Sequence, residues 1–155
     1  MAGTPTTVTR IYNRLTGDNS LLTVLPGGIW DRAIKREGVG ATPGAFDQYG
    51  DPLPAAVVMD GTDEQTAFGP DASFQSFPWI YLYAQPHANG KAAIATAWDL
   101  MFSLLHKWRF ATPNSTDAEV HVIGRLGVMD DPDVDDRLLG GMRLQVTGLW
   151  RNTGG

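Results

Sequence analysis

The sequence predicts an α+β domain, a mainly antiparallel sheet with helices packed on one face and with long loops. Three features predict it. Gly90 to Trp108 repeats apolar residues at helical spacing. Two C-terminal stretches, around 120–128 and 142–150, alternate apolar with polar residues. The order helix, strands, helix, strands groups the strands in runs, the pattern of helices laid on one face of an antiparallel sheet. The 155 residues are about the size of one domain, and 1–155 is read as a single one.

Taken in order, Val8, Ile11, Tyr12 and Leu15 fall at i, i+3, i+4 and i+7, one face of a helix, with Thr6 or Thr7 as its cap. Gly17-Asp18-Asn19 breaks that helix, and Ser20 to Leu25 reads as a second short one. Pro26-Gly27-Gly28 forces a turn, and a strand is expected over Ile29 to Ile34, anchored by Trp30. From Arg36 to Pro54 the chain carries Gly38, Gly40, Gly44 and Gly50 with Pro43, Pro52 and Pro54, and little periodicity. This is an extended loop or arm, of a length usually kept for function. Ala55 to Asp60 is a short strand, and Gly61 to Ser73 is irregular again.

Phe74 to Ala84 holds Phe77, Trp79, Ile80, Tyr81, Leu82 and Tyr83, apolar or aromatic on both faces, as in a strand covered on both sides or covered on one by a partner. Pro78 cannot donate to a ladder, so an edge or bulge is expected there. The main helix, Gly90 to Trp108 with Asn89 as N-cap, presents Ile94, Trp98, Met101, Leu105 and Trp108 to the core. In the first closing strand Val120, Val122, Leu126 and Val128 share one parity. In the second, Met142, Leu144, Val146 and Trp150 face inward, with Arg143, Gln145, Thr147 and Arg151 outward. Residues 130–141 between them form an acidic hairpin loop.

Composition excludes several functions. Charged residues are 19% of the chain, below the roughly 25% of an average domain, which leaves neutral surface for subunit contacts. The net charge is −5 and no basic run is present, so a phosphate-gripping role is disfavoured. There is no cysteine, hence no disulfide or thiolate chemistry. No signal-peptide pattern opens the chain and no apolar run is long enough for a membrane span. A soluble protein made in a cytoplasm, with no membrane partner, is expected.

Chemistry finds no home in the motifs. Counting from Asp131, carboxylates stand at positions 1, 3 and 5 of a calcium-type loop, but Asp136 and Met142 occupy the places of the required glycine and bidentate glutamate. A solvated acidic loop is the reading, with no metal. Gly38-Val39-Gly40-Ala41-Thr42-Pro43-Gly44 lacks the dinucleotide spacing. Asn89-Gly90-Lys91-Ala92 lacks the first glycine and the Ser/Thr of a phosphate loop. His87, His106 and His121 stand apart, with no nucleophile elbow or metal-spaced pair to support a triad. The aromatics Phe77, Trp79, Tyr81 and Tyr83 are of a kind that stacks single-stranded bases, yet without flanking Lys or Arg they read as core or subunit interface. No enzyme activity and no cofactor are expected.

Four segments in succession carry a resemblance. They are Leu21-Leu22-Thr23-Val24-Leu25-Pro26-Gly27-Gly28-Ile29-Trp30-Asp31-Arg32, then Pro54-Ala55-Ala56-Val57-Val58-Met59-Asp60-Gly61, then Ile80-Tyr81-Leu82-Tyr83-Ala84-Gln85 leading into Gly90-Lys91-Ala92-Ala93-Ile94-Ala95, and last the acidic loop running into Gly141 to Trp150. Over about residues 5 to 151 the chain resembles the tail-terminator and tail-completion family of long-tailed bacteriophages. It departs from that pattern in the long Arg36 to Pro54 loop, in Ala55-Ala56 where Pro-Tyr is commoner, and in the Gly61 to Ser73 insertion.

The resemblance implies a structural virion protein at the head-proximal end of the tail. It would form a homo-oligomeric ring, a hexamer, that caps the tail tube, stops its polymerisation and offers the surface that joins the head. Its partners would be itself, the tail tube protein and head-tail connector proteins, with DNA passing through without specific binding. Candidate interface residues are Arg36, Phe46 and Tyr49 in the first loop, Phe68 and Phe74 in the second and just beyond it, and Arg143 and Arg151 on the last strand. Deleting Val39 to Gly50 is expected to spare the fold and abolish capping. Two other readings stand beside this one: a different head-tail connector, such as a neck or head-completion protein, and a small ligand-binding or hydrolytic domain using the Tyr81/Tyr83 face and His121.

Overall fold

The computed structural model describes residues 7–61, 63–65, 73–86, 89–112, 115–132 and 136–150. Its first helix, α1 (Thr7–Thr16), buries Val8, Ile11 and Leu15, the stripe that the spacing predicts. Thr7 is already helical, and Thr6 lies outside the described residues. The exposed side of α1 ties it to the end of the long helix: Arg14 Nε donates to the Leu104 carbonyl at 2.9 Å, and its guanidinium lies 4.9 Å from the Trp108 ring centroid.

Helix α2 (Asn19–Val24) begins where the sequence shows only a break, because Asp18 caps it by accepting from the Leu21 N–H at 2.8 Å. Six residues cannot sustain a helix without such help. We expect Asp18→Ala to lower stability by about 1 kcal/mol in urea unfolding. A loss of only a few tenths would mean that burial of Leu21 and Leu25 holds the turn without the cap.

The turn at Pro26-Gly27-Gly28 is as predicted, with Gly28 at φ 88°. A Cβ on Gly27 would stand 2.8 Å from the Pro54 carbonyl oxygen that its own N–H uses. The following strand is much shorter than predicted: β1 is only Ile29–Trp30, parallel to β2 (Ala55–Met59). Beyond it the chain turns away, and both backbone groups of Lys35 are held by Thr42.

The rest of the sheet is antiparallel. It comprises β3 (Asp63–Gln65), β4 (Ser73–Ser76), β5 (Trp79–Ala84), β6 (Arg109–Thr112), β7 (Ser115–Asp130) and β8 (Leu138–Trp150). Strand β8 is the spine. One edge carries β7; the other carries β5 over Leu138 to Arg143 and then β4 over Val146 to Leu149. Pro78 sits at the break between β4 and β5, where its carbonyl still accepts from the Leu144 N–H at 2.9 Å. The proline therefore divides one predicted strand into two that share a neighbour.

Helix α3 (Gly90–Leu105) lies across the sheet and buries Ile94, Ala97, Met101 and Leu105. Together with α1 and α2 it covers Ala56, Val58, Ile80, Leu82, Met142, Leu144 and Val146 in one core. Three details differ from expectation. Asn89 precedes the helix in the left-handed region at φ 63°, with no side-chain cap bond. Trp108 lies beyond the helix, which stops before a second left-handed residue, Lys107 at φ 64°. Trp98 is half-buried at the flank, its place at the centre taken by Ala97.

The acidic loop is also shorter than 130–141, since β8 starts at Leu138 and pairs it with Asp130. Gly140 and Gly141 read as loop residues from sequence. They are strand residues paired with Leu82 and Tyr81, and glycine is needed there because the sheet is crowded: a Cβ would meet Ile94 Cγ2 at 2.8 Å at the first and the Ile80 carbonyl oxygen at 2.5 Å at the second. In β7 the register shifts between Val122 and Gly124 and again between Leu126 and Met129. Val120, Val122 and Val128 keep the predicted parity on the core side, and only between the two bulges, at Leu126, is it broken. Arg125 stands opposite the buried Met142, and its guanidinium lies 4.6 Å from the Trp98 ring centroid on α3.

Candidate subunit interface

The helices leave the other face of the sheet to different partners. Alternation along β5 sends Ile80, Leu82 and Ala84 into the core, each fully buried, while Trp79, Tyr81 and Tyr83 stay half-buried on the far side. The register sets their neighbours. Trp79 lies between Met59 and Arg143, Tyr81 between Val57 and Gly141, and Tyr83 between Ala55 and Leu139. Met129 extends the last row across β7. Met59 is 44% exposed and Met129 47%, so apolar surface reaches solvent at both sides of the aromatic row.

Two arginines order these rings. Trp79 and Tyr81 stack at 5.9 Å with planes 5° apart. The guanidinium of Arg143 lies 4.9 Å from the Phe77 centroid and 5.8 Å from that of Trp79, within the range of cation–π attraction. Arg143 is exposed and has no ion pair among the described residues. Arg137 lies 4.2 Å from the Tyr83 centroid, and its Nε donates to Asp131 Oδ2 at 2.7 Å. That pair is enclosed, with side-chain exposures of 12% and 3%. The carboxylate counted as the first ligand of a calcium-type loop is thus committed to an arginine. Among the described residues no three His, Cys, Asp or Glu side chains are grouped to hold a metal ion. No helix among them is long and apolar enough to cross a membrane.

The Arg36 to Pro54 segment is not a free arm. Thr42 and Ala45 are buried at 0% and 1% exposure. Asp47 Oδ1 accepts from the N–H groups of Tyr49 and Asp51, Asp47 N–H donates to the Asp51 carbonyl, and Phe46 bridges to Pro52. Arg36 lies over Phe46 at 5.5 Å. What remains free is the tip: Val39 is 95% exposed and Tyr49 81%. Deleting Val39 to Gly50 would remove buried Thr42 and Ala45 as well as the tip, so such a deletion would damage the fold, contrary to the sequence-based expectation. Val39→Ser with Tyr49→Ser tests the tip instead.

Of the residues singled out in the sequence, Arg36, Phe46 and Tyr49 gather in this one loop, and Arg143 stands at the Phe77–Trp79 end of the aromatic face. Phe74 lies on β4 opposite Gly148, its side chain outside the described ones. Phe68 and Arg151 lie outside the described residues. The aromatics Phe77, Trp79, Tyr81 and Tyr83 have no flanking Lys or Arg in sequence, and the cations they meet, Arg143 and Arg137, come from β8 and from the residue just before it.

Sequence reasoning missed a second aromatic run along α3 and just past its end. Trp98 stacks on Phe102 at 5.4 Å and Phe102 on His106 at 4.6 Å, with His121 edge-on at 5.5 Å. Its signal, aromatic side chains four apart, was legible. His106 Nδ1 accepts from the Val122 N–H at 3.2 Å, and His121 Nε2 lies 3.2 Å from Glu119 Oε1, whose other oxygen holds Arg109. His121 pairs across to Gln145, four residues along β8 from the Gly141 opposite Tyr81. That separation is about 13 Å along the strand, so the structure does not gather the residues of the hydrolytic reading into one site.

The chain is therefore a mixed sheet with helices on one face and an arginine-ordered aromatic surface on the other. No family model matches it, and no curated protein matches it. Among solved structures it is similar to a chain of "Virion of native gene transfer agent (GTA) particle", with a TM-score of 0.62 and 11% identity over 90% of this chain and 91% of that one. At that identity the likeness shows a shared fold.

Proposed function

We propose that this protein is a structural component of a phage-like virion and that it forms the ring that caps the tail tube. The observation that carries the reading is the end-to-end match in fold to a chain of a gene transfer agent virion, with neither chain left largely uncovered. The tail-terminator resemblance of the sequence supports the finer role. So does a surface with exposed methionines and stacked aromatics facing away from the core. A ring closes through heterologous contacts, in which one patch meets a different patch on the next copy. With a net charge of −5, such a ring would let DNA pass without counterion-release attraction. The protein would act at the head-proximal end of the tail, with the tube protein on one side and connector proteins on the other, and without catalysis.

The test is solution mass by light scattering with negative-stain images of the same sample, with and without tail tube protein. A closed ring, hexameric by the resemblance, is expected. Particles lacking the protein should then carry overlong tails. Tails of normal length that fail to join heads would assign it instead to the neck. A chain that stays monomeric even with tube protein would end the ring reading.

A further inference from the structure

Resting on that ring reading, we infer that Arg143, held over Phe77 and Trp79, is the receptor for the acidic β7–β8 hairpin tip of a neighbouring copy of this chain. Arg143 is exposed and fixed over two rings, with no carboxylate paired to it among the described residues. A guanidinium stacked in this way keeps its N–H fork free in one plane, an arrangement suited to a carboxylate. The stacked rings of Trp79 and Tyr81 beside it give apolar contact around the charge.

The same chain carries the complementary group. Asp130 and Asp136 are exposed at the far end of the hairpin, while Asp131 between them is occupied by Arg137. Asp130 stands too far from its own Arg143 to pair with it. Asp130 pairs with Leu138, five residues before Arg143 on the same extended strand, or roughly 17 Å away. A tip from another copy faces no such limit. A head-to-tail contact sets acid on base and leaves a free Arg143 on one copy and a free acidic end on the other, so that further copies can add until the chain of contacts closes. That is the arrangement a closed ring needs.

The experiment uses the full-length chain, with mass by light scattering at low salt, where an exposed charge contact is least screened. Arg143→Glu should weaken self-association at least tenfold relative to wild type. A variant with the loop aspartates other than Asp131 (Asp130, Asp133, Asp135 and Asp136) changed to Lys should do the same. Mixing the two defective variants should restore rings, because each tip then meets a platform of opposite sign. Only even-numbered rings with alternating subunits can form in this way.

Circular dichroism of each variant guards against misfolding, and the mixture answers even if one variant is less stable. Rings formed by Arg143→Glu alone would overturn the contact and leave the ring reading standing. Failure of the mixture to assemble from two folded variants would overturn it too. A wild-type chain that never assembles would remove both. Retention of an oligothymidine by wild type and not by Arg143→Glu would make bases the occupant of the platform and overturn the protein contact.

Discussion

Gly141→Val should unfold most of the chain at temperatures the wild type survives, with a loss of about 3 kcal/mol and a fall of roughly 10 °C in Tm. Strands β5 and β8 approach so closely at this point that a Cβ on residue 141 would stand 2.5 Å from the Ile80 carbonyl oxygen and 3.5 Å from its carbon. Both atoms are backbone, so no side chain can swing aside, and relief requires parting the ladder that joins the two halves of the sheet. Gly127→Ala and Gly124→Ala on the neighbouring strand are the controls. At Gly127 an added Cβ meets nothing within 4 Å, and at Gly124 only the Arg143 Cβ at 3.8 Å, so both should stay within about 0.5 kcal/mol of wild type. Thermal melts of the three variants decide the matter. Equal stabilities would mean that β5 and β8 are not paired in this register.

Asp131→Ala should cost about 3 kcal/mol in urea unfolding, because it strands the enclosed Arg137 guanidinium without its counter-charge. Arg137→Leu alone should be comparably harmful, leaving a buried carboxylate. The double variant, Asp131→Ala with Arg137→Leu, should recover most of the loss, since two uncharged groups need no pairing. Fully additive losses would show that the two side chains act separately. The hairpin end is also where the structure and the proposed interface meet. A variant that loosens it should weaken ring formation by more than its loss of stability alone explains.

Much of the fold was written in local patterns. The α1 stripe, the α3 core face, the inward Met142, Leu144 and Val146, and the break at Pro78 each follow from spacing or from one residue's chemistry, which a single segment already contains. The exposed loop tip at Tyr49 and the outward Arg143 were legible for the same reason. The particular strand partners were not. Gly140 and Gly141 look like loop residues until β5 and α3 are brought against them. The parity of β7 holds at Val120, Val122 and Val128 but is broken at Leu126, between two bulges that depend on how the strand registers with β8. Buried Thr42 and Ala45 give no sign in sequence that their loop folds on itself. Above all, the aromatics of β5 stand far in sequence from Arg137 and Arg143, and only pairing with β8 sets the guanidinium groups over Tyr83, Phe77 and Trp79. Periodicity is a property of one segment and can be read along the chain. Juxtaposition of charge and ring is a property of two segments, fixed only when the core they share is packed.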